Sequence, residues 1–314
     1  MISVLIDCDP GNDDALGILA ALGSPGLTVR AITTGAGHLA ADRTARNGAI
    51  AVAMAGAGHV PVHRGVAQPL VRERLIARVL DLASALDPER PDLPAAPLAP
   101  ASSAEAIVAV AEASEGLTVV TTGPLTNLAL ALRLRPATAS NIERIVTLGG
   151  AWGLGNKTAA AEWNVLCDPD AAAIVLGAGI PLTLIPIDAA VQVVIDDDLL
   201  VAVERGGGPV SAFAAELLRS LRSTFTPGLF GPADMPLNDP LAALVAAEPA
   251  LCRTVPARVE IELAGRHTYG RTVIDFAGRS GLAPNCDVAI AFDVPATRRA
   301  FVSALSTCGH AAAS

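Results

Sequence analysis

The eight residues Asp7-Cys8-Asp9-Pro10-Gly11-Asn12-Asp13-Asp14 carry four carboxylates. Packed that closely, like charges repel unless a cation or a set of hydrogen-bond donors holds them. Asp7 and Asp9 stand two apart at the end of an apolar run, so on a strand they project to one face. Pro10-Gly11 demands a tight turn, and Asp13 and Asp14 open a helix-like stretch. Acids in a first helical turn stabilise it by ~0.3–1 kcal/mol each, so capping and solvated turn acids explain Asn12 and Asp13 as well as a ligand does. They do not explain Asp7 and Asp9, which follow "VLI" directly. Oxygen donors at this density suit a hard cation, and a flexible set of them suits Ca²⁺.

These groups need elements to position them. Short β-branched runs alternate with longer helix-like stretches: "ISVLIDCD" precedes "DDALGILAALGS", "LTVRAITTG" precedes "AADRTARNGAIAVAMAGA", and "LTVVTTG" precedes "PLTNLALALRL". "IERIVTLGG" and "IPLTLIPID" continue the series. Runs apolar throughout are buried on both faces, as in a parallel sheet covered by helices. The expected fold is therefore α/β, a doubly wound, mostly parallel sheet with helices on both faces. "ARVEIELAG", "HTYGRTVID" and "CDVAIAFD" suggest a small antiparallel β-meander near the C-terminus. The Pro- and Ala-rich stretch 87–102 reads as a surface loop inside one domain spanning 1–314, since the alternation resumes after it. Ligands of open α/β sheets collect beyond the carboxyl ends of strands. Asp7/Asp9, Thr33 to His38, Thr121 to Asn127 and Gly149 to Asn164 all fall there.

Composition narrows the partners. A net charge of −9 argues against nucleic acid and against anionic membranes, and hydrophobic residues at 52% support a large core. Five scattered cysteines without a C-x-x-C fit reduced thiols in a cytoplasmic protein, and no signal peptide is expected before the first strand. The uncharged run 171–187 is broken by Gly177, Gly179, Pro181 and Pro186, so it reads as helix end, turn and strand rather than a membrane span.

The acidic opening resembles the D-x-D-P-G-x-D-D fingerprint of the inosine–uridine-preferring nucleoside hydrolases, and the match is complete. "TTGPLTNLALAL" resembles that family's second metal segment, and "LGGAWGLGNKTAAAEWNVLCDPDAAAIVL" its sugar-binding segment. "NDPLAALV" is similar to the segment with the last metal ligand, and "GRTVIDFAGRSGLAPN" to the closing strands. The resemblance implies a Rossmann-like nucleoside hydrolase fold and calcium-dependent cleavage of ribonucleosides to base and ribose, in nucleoside catabolism and salvage. It implies Ca²⁺ bound by Asp9, Asp14, the Thr122 carbonyl and Asp239, with Asp9 also taking a proton from a calcium-bound water. Asp13 would meet the ribose 2′-hydroxyl, Asp239 and Asn164 the 3′-hydroxyl, Asn156 and Glu162 the 5′-hydroxyl, while Asp7 orients the turn. It also implies a homodimer or homotetramer.

Two positions depart from that family. His38 stands where members usually carry an Asn near the sugar and nucleophile, and Asn238 where many carry a His that protonates the leaving base. The stretch after "PLVRERLIARVLDLASAL" also lacks the family's His-Gly motif. His38 and Asn238 are thus both candidate substrate contacts. Trp163 is a further one, reading equally as core packing or as a stacking platform. Asn127 reads as a tether of its own loop, Cys8 and Cys167 as small apolar fillers, and His59, His63, His267 and His310 as loop, strand-end or tail residues. Two other readings exist. "VLIDCDPG" is similar to the D-x-D motif of haloacid-dehalogenase-type phosphatases, which also need a Lys; Lys157 is the only one here. A nucleoside- or ribose-binding paralogue without turnover is the other.

Overall fold

The computed structural model describes residues 1–75, 85–86, 90, 92–153, 155–226 and 234–311. The first apolar run forms β1 (Ile2–Cys8), and its alternation divides the core. Val4 and Ile6 enter one hydrophobic cluster and Leu5 enters another, on the two sides of the sheet. After β1 come α1 (Asn12–Gly23), β2 (Leu27–Thr34) and α2 (Ala41–Met54), then two short strands, β3 (Val62–Arg64) and β4 (Leu98–Ala99). The chain returns through α3 (Ser103–Ala113) to β5 (Leu117–Thr121), α4 (Thr126–Leu134), α5 (Thr138–Asn141) and β6 (Ile142–Leu148). Next follow α6 (Trp163–Cys167), α7 (Pro169–Leu176), β7 (Leu182–Ile185), α8 (Ile187–Ala190), α9 (Asp197–Arg205), α10 (Gly208–Thr224) and α11 (Pro240–Ala247). The last elements are β8 (Cys252–Ile261), β9 (Thr272–Asp275), β10 (Cys286–Phe292) and α12 (Val294–Ala311).

These strands make one ten-stranded sheet in the order β4-β3-β2-β1-β5-β6-β7-β10-β8-β9. It is parallel from β4 to β10, and β8 and β9 are antiparallel to their neighbours. The expected α/β architecture and antiparallel C-terminal section are both present. The meander is not: β10 slots between β7 and β8, leaving β9 at the edge. Strand pairing depends on where the chain returns, and β10 gains a fully parallel neighbour in β7 by returning inside. The two-residue β4 lies within the stretch read as loop, too short for any periodic signal; residues 87–89 and 91 of that stretch lie outside the described ones.

From β1 the chain winds outward to β4 and then crosses back to β5 on the opposite side of β1. The carboxyl ends of β1 and β5 therefore flank a topological switch point, where neighbouring connections diverge and leave a crevice. At the opposite end of the sheet, where α1 finishes just before β2, α1 packs closely against α12. A Cβ on Gly23 would lie 1.9 Å from the Ala304 carbonyl oxygen, so only glycine permits that approach. Among the described residues no helix is long and apolar enough to cross a membrane.

Candidate active site

The crevice at the switch point is a small cleft of about 50 Å³. It is lined by Asp9, Asp13, Asp14, His38, Thr122, Asn156, Glu162, Trp163, Asn164, Asn238 and Asp239, with Leu148 and Ile187. Every expected site residue except Asp7 thus reaches one surface, from segments far apart in the chain. Asp7 is turned away from it. Its Oδ1 accepts from Thr33 Oγ1 at 2.8 Å and Asn127 Nδ2 at 2.9 Å. Burial pushes its carboxyl up to about 7, although the two hydrogen bonds pull downward. The shared face expected for Asp7 and Asp9 becomes a division between support and cleft, because β1 ends at Cys8 and the chain turns there.

Asn127 does more than tether its own loop. Its amide donates to Asp7 and to the Thr34 carbonyl at 3.1 Å, and its Oδ1 accepts from the Val66 N–H at 3.2 Å. One side chain on α4 therefore ties the ends of β1 and β2 and the segment after β3. Asn47, fully buried on α2, likewise donates to the Pro10 carbonyl at 2.8 Å and holds the acidic turn from behind. It was legible only as a polar residue within the apolar stretch "NGAIAVAM".

Gly11 precedes α1 and has no side chain to cap it. Asp14 supplies the acceptor instead, taking the N–H groups of Gly11 at 3.1 Å and Asp9 at 3.3 Å, plus the Thr122 hydroxyl at 2.7 Å. Asp9 is 1% exposed, and its Oδ2 accepts from the His38 N–H at 2.9 Å. Two glycines make room for it. A Cβ on Gly37 would lie 2.0 Å from Asp9 Oδ2, and one on Gly123 2.6 Å from Oδ1. Neither glycine stands out in the sequence, since their need arises only from this approach.

On the opposite side, Glu162 caps α6. Its carboxylate accepts from the N–H groups of Asn164 at 2.9 Å, Val165 at 3.2 Å and Gly150 at 2.8 Å. Glu162 and Asn164 therefore flank a helix start and not the extended piece that their spacing suggested. The Asn164 amide donates to the carbonyls of Thr122 at 2.7 Å and Leu148 at 3.2 Å. Asn156 Oδ1 accepts from the Trp163 N–H at 2.9 Å. Trp163, 4% exposed, stacks on the His38 ring with centroids 4.1 Å apart and planes 9° from parallel. It combines both expected roles, packing and lining the cleft. Lys157 Nζ lies 4.6 Å from the centre of the indole ring, so the chain's one Lys sits on an aromatic ring and not on a phosphate site.

Asp239 precedes α11, and among the described residues its carboxylate accepts no hydrogen bond. Ligand oxygens of Asp13, Asp14 and Asp239 lie within 4.8 Å of one another. Burial first, and then the neighbouring carboxylates, push Asp14 and Asp239 well above the ordinary carboxylate range. Burial likewise raises Asp13 and Glu162. A largely buried, oxygen-only, mutually repelling donor set, with the Asp239 carboxylate accepting no hydrogen bond among the described residues, fits a hard divalent cation. Asp14 and Asp239 belong both to this triad and to the expected ligand set. Asp13, expected on the sugar, joins them, while Asp9 stands outside the triad and the Thr122 carbonyl is taken by Asn164.

Asn238 has φ 52°, a left-handed conformation that Asn tolerates better than most residues. Its amide cannot titrate. The five cysteines are free thiols, and burial pushes Cys8 and Cys167 upward, as fits fillers beside the cleft. His63 is the middle residue of β3, its Nδ1 3.0 Å from the Ala101 carbonyl, and it does not line the cleft. The stretch without a His-Gly motif begins at residue 87, and residues 87–89 and 91 of it lie outside the described ones.

Comparison with known proteins agrees with this geometry. Residues 4–299 match the family model described as inosine-uridine preferring nucleoside hydrolase. The pyrimidine-specific ribonucleoside hydrolase RihA of Citrobacter koseri is 39% identical over 306 residues, 97% of each chain. The purine-preferring ribonucleoside hydrolase of Gardnerella vaginalis superposes with a TM-score of 0.88 at 28% identity, covering 98% of this chain and 99% of that one. An inosine-guanosine nucleoside hydrolase gives 0.87 at 27% identity, over 97% and 99%. With the acidic cleft at the switch point and the match running through nearly the whole chain, this protein belongs to the inosine–uridine-preferring nucleoside hydrolase family.

Proposed function

We propose that this chain, acting as one domain, hydrolyses the N-glycosidic bond of ribonucleosides with Ca²⁺ bound and with Asp9 as the general base. The observation that carries this reading is the convergence of five carboxylates, Asp9, Asp13, Asp14, Glu162 and Asp239, in a single cleft. Asp14 and Asp239 would hold the cation, with Asp9 and the Thr122 carbonyl completing its shell as the Asn164 amide swings to the sugar. When bound, the cation supplies a double positive charge that offsets the carboxylates and Lewis acidity that lowers the pKa of water. Asp9 takes the proton of the attacking water as its oxygen forms a bond to the anomeric carbon. The C–N bond breaks with its electron pair on the base, through an oxocarbenium-like ribosyl cation. Fixed carboxylates beneath the sugar stabilise that cation electrostatically. Asp13, Asn164 and Asp239 bind the 2′- and 3′-hydroxyls, and Asn156 and Glu162 the 5′-hydroxyl. Direct attack by water inverts the anomeric centre.

The 39% identity to a pyrimidine-specific enzyme makes uridine and cytidine the first substrates to examine. Incubating a ribonucleoside panel with calcium and following free base by chromatography tests the activity. Each hydroxyl meets buried polar groups, so 2′-deoxyuridine should react at least about 100-fold more slowly than uridine. Equal kcat/KM for the pair would remove the assigned sugar contacts. Calorimetry with Ca²⁺ tests the cation separately; no binding would remove the metal from the reading.

A further inference from the structure

We propose that His38 is a positioning residue that holds the Asp9 carboxylate by one oxygen and leaves the other open to water; this rests on the reading of Asp9 as the base. The terminal torsion of an Asp side chain is broad and roughly two-fold, so one hydrogen bond leaves the carboxylate free to turn. Here two groups of the same residue reach Oδ2. The His38 N–H donates to it at 2.9 Å, and the imidazole Nδ1 lies 3.4 Å from it. Asp9 Oδ1 accepts no hydrogen bond among the described residues and faces Gly123, where a Cβ would come within 2.6 Å. The carboxylate thus has a held oxygen and an open one.

Both contacts are themselves braced. The Gly37–His38 peptide that carries the N–H accepts, through its Gly37 carbonyl, a hydrogen bond from Arg74 Nη1 at 3.4 Å. The imidazole plane is set by the near-parallel ring of Trp163, a buried residue whose backbone N–H donates to Asn156 Oδ1. Leu75, beside Arg74, packs on Trp163, so one short segment supports the peptide and the ring together. The Nδ1 approach at 3.4 Å is a polar contact with Oδ2 and not a second formed hydrogen bond. Restricting a reacting group in this way contributes to rate, because small misplacements of it are expensive.

The imidazole has two nitrogens, and side-chain length separates them. In H38N the amide nitrogen falls near the place of Nδ1, in H38Q it falls near that of Nε2, and H38A has neither. With uridine and calcium, H38A and H38Q should lower kcat by about 10–100-fold with KM within about threefold, and H38N should exceed H38A about tenfold in kcat. W163L should resemble H38A, and the W163L/H38A pair should lose little beyond the worse single variant. One Ca²⁺ per chain by calorimetry in H38A separates positioning from loss of the cation. A kcat for H38A within twofold of the parent, equal kcat for H38N and H38Q, a loss confined to KM, or loss of Ca²⁺ would each overturn the inference. D9N decides the underlying reading independently. Turnover retained in D9N removes Asp9 as base, whereas an inactive D9N beside an unaffected H38A removes only the role of His38.

Discussion

The carboxylates on the cleft floor lie at the ends of β1, α1 and α11, while the rings on its wall come from the β2–α2 loop and from the five-residue α6. The floor is organised by directional bonds: Asp14 alone accepts from two backbone N–H groups and a hydroxyl. The wall is organised by contact between faces, His38 on Trp163 with Lys157 above the indole. Hydrogen bonds specify atoms, whereas stacked rings specify a plane and tolerate lateral change. The floor therefore fixes individual oxygens, and the wall fixes the plane of a ring.

Substitutions can break this contrast, beginning with the floor. D9N keeps one oxygen and the shape of the side chain but cannot accept a proton, so kcat should fall by about 10³-fold or more. Thermal unfolding followed by circular dichroism should stay within a few degrees of the parent. A smaller loss than that of W163L would place the chemistry on the wall instead. The leaving group probes the same contrast from the substrate side. Asn238 cannot donate as an acid, so p-nitrophenyl riboside, whose phenolate needs no proton, should exceed uridine by about 10²-fold in kcat. Equal rates would reveal an acid on the wall.

Smaller effects sharpen the boundary. In G37A the new methyl would meet Asp9 Oδ2, and, with Asp9 in its proposed role, displacement of its carboxylate by a fraction of an ångström should lower kcat by about 10²-fold. G58A, whose Cβ would meet nothing within 4 Å, is the matched control in steady-state assays. Asp168 lies beneath both regions, with hydrogen bonds from Leu70, Thr126 and Ala171. D168A should lower unfolding free energy by about 2–3 kcal/mol, measured in urea, because it uncaps α7 and strands buried donors. Its kcat should remain within about threefold; a loss as large as that of G37A would show that support and floor are one unit.

The floor was more legible than the wall for a physical reason. Its acids are crowded into one octapeptide, and charge density is local information that needs no partner to be recognised. Strand-helix alternation was equally local, which is why β1, α1, β2 and β5 to β7 stand where the pattern put them. Segments that depended on distant partners were misread. Asn127 reads as a loop tether until Asp7, Thr34 and Val66 are seen around it. Glu162 reads as part of an extended piece until its carboxylate is found capping α6.

Two kinds of information thus divided the molecule. Residue order alone determined the alternation of elements, the acidic turn and the segments that resemble a nucleoside hydrolase, since periodicity and charge spacing act over a few residues. Only the tertiary structure decided that β10 lies inside β8, that Gly37 and Gly123 clear space around Asp9, and that His38 meets Trp163. Each of those depends on where the chain returns after many residues, and close packing at such returns is a property of surfaces that have no neighbours in sequence.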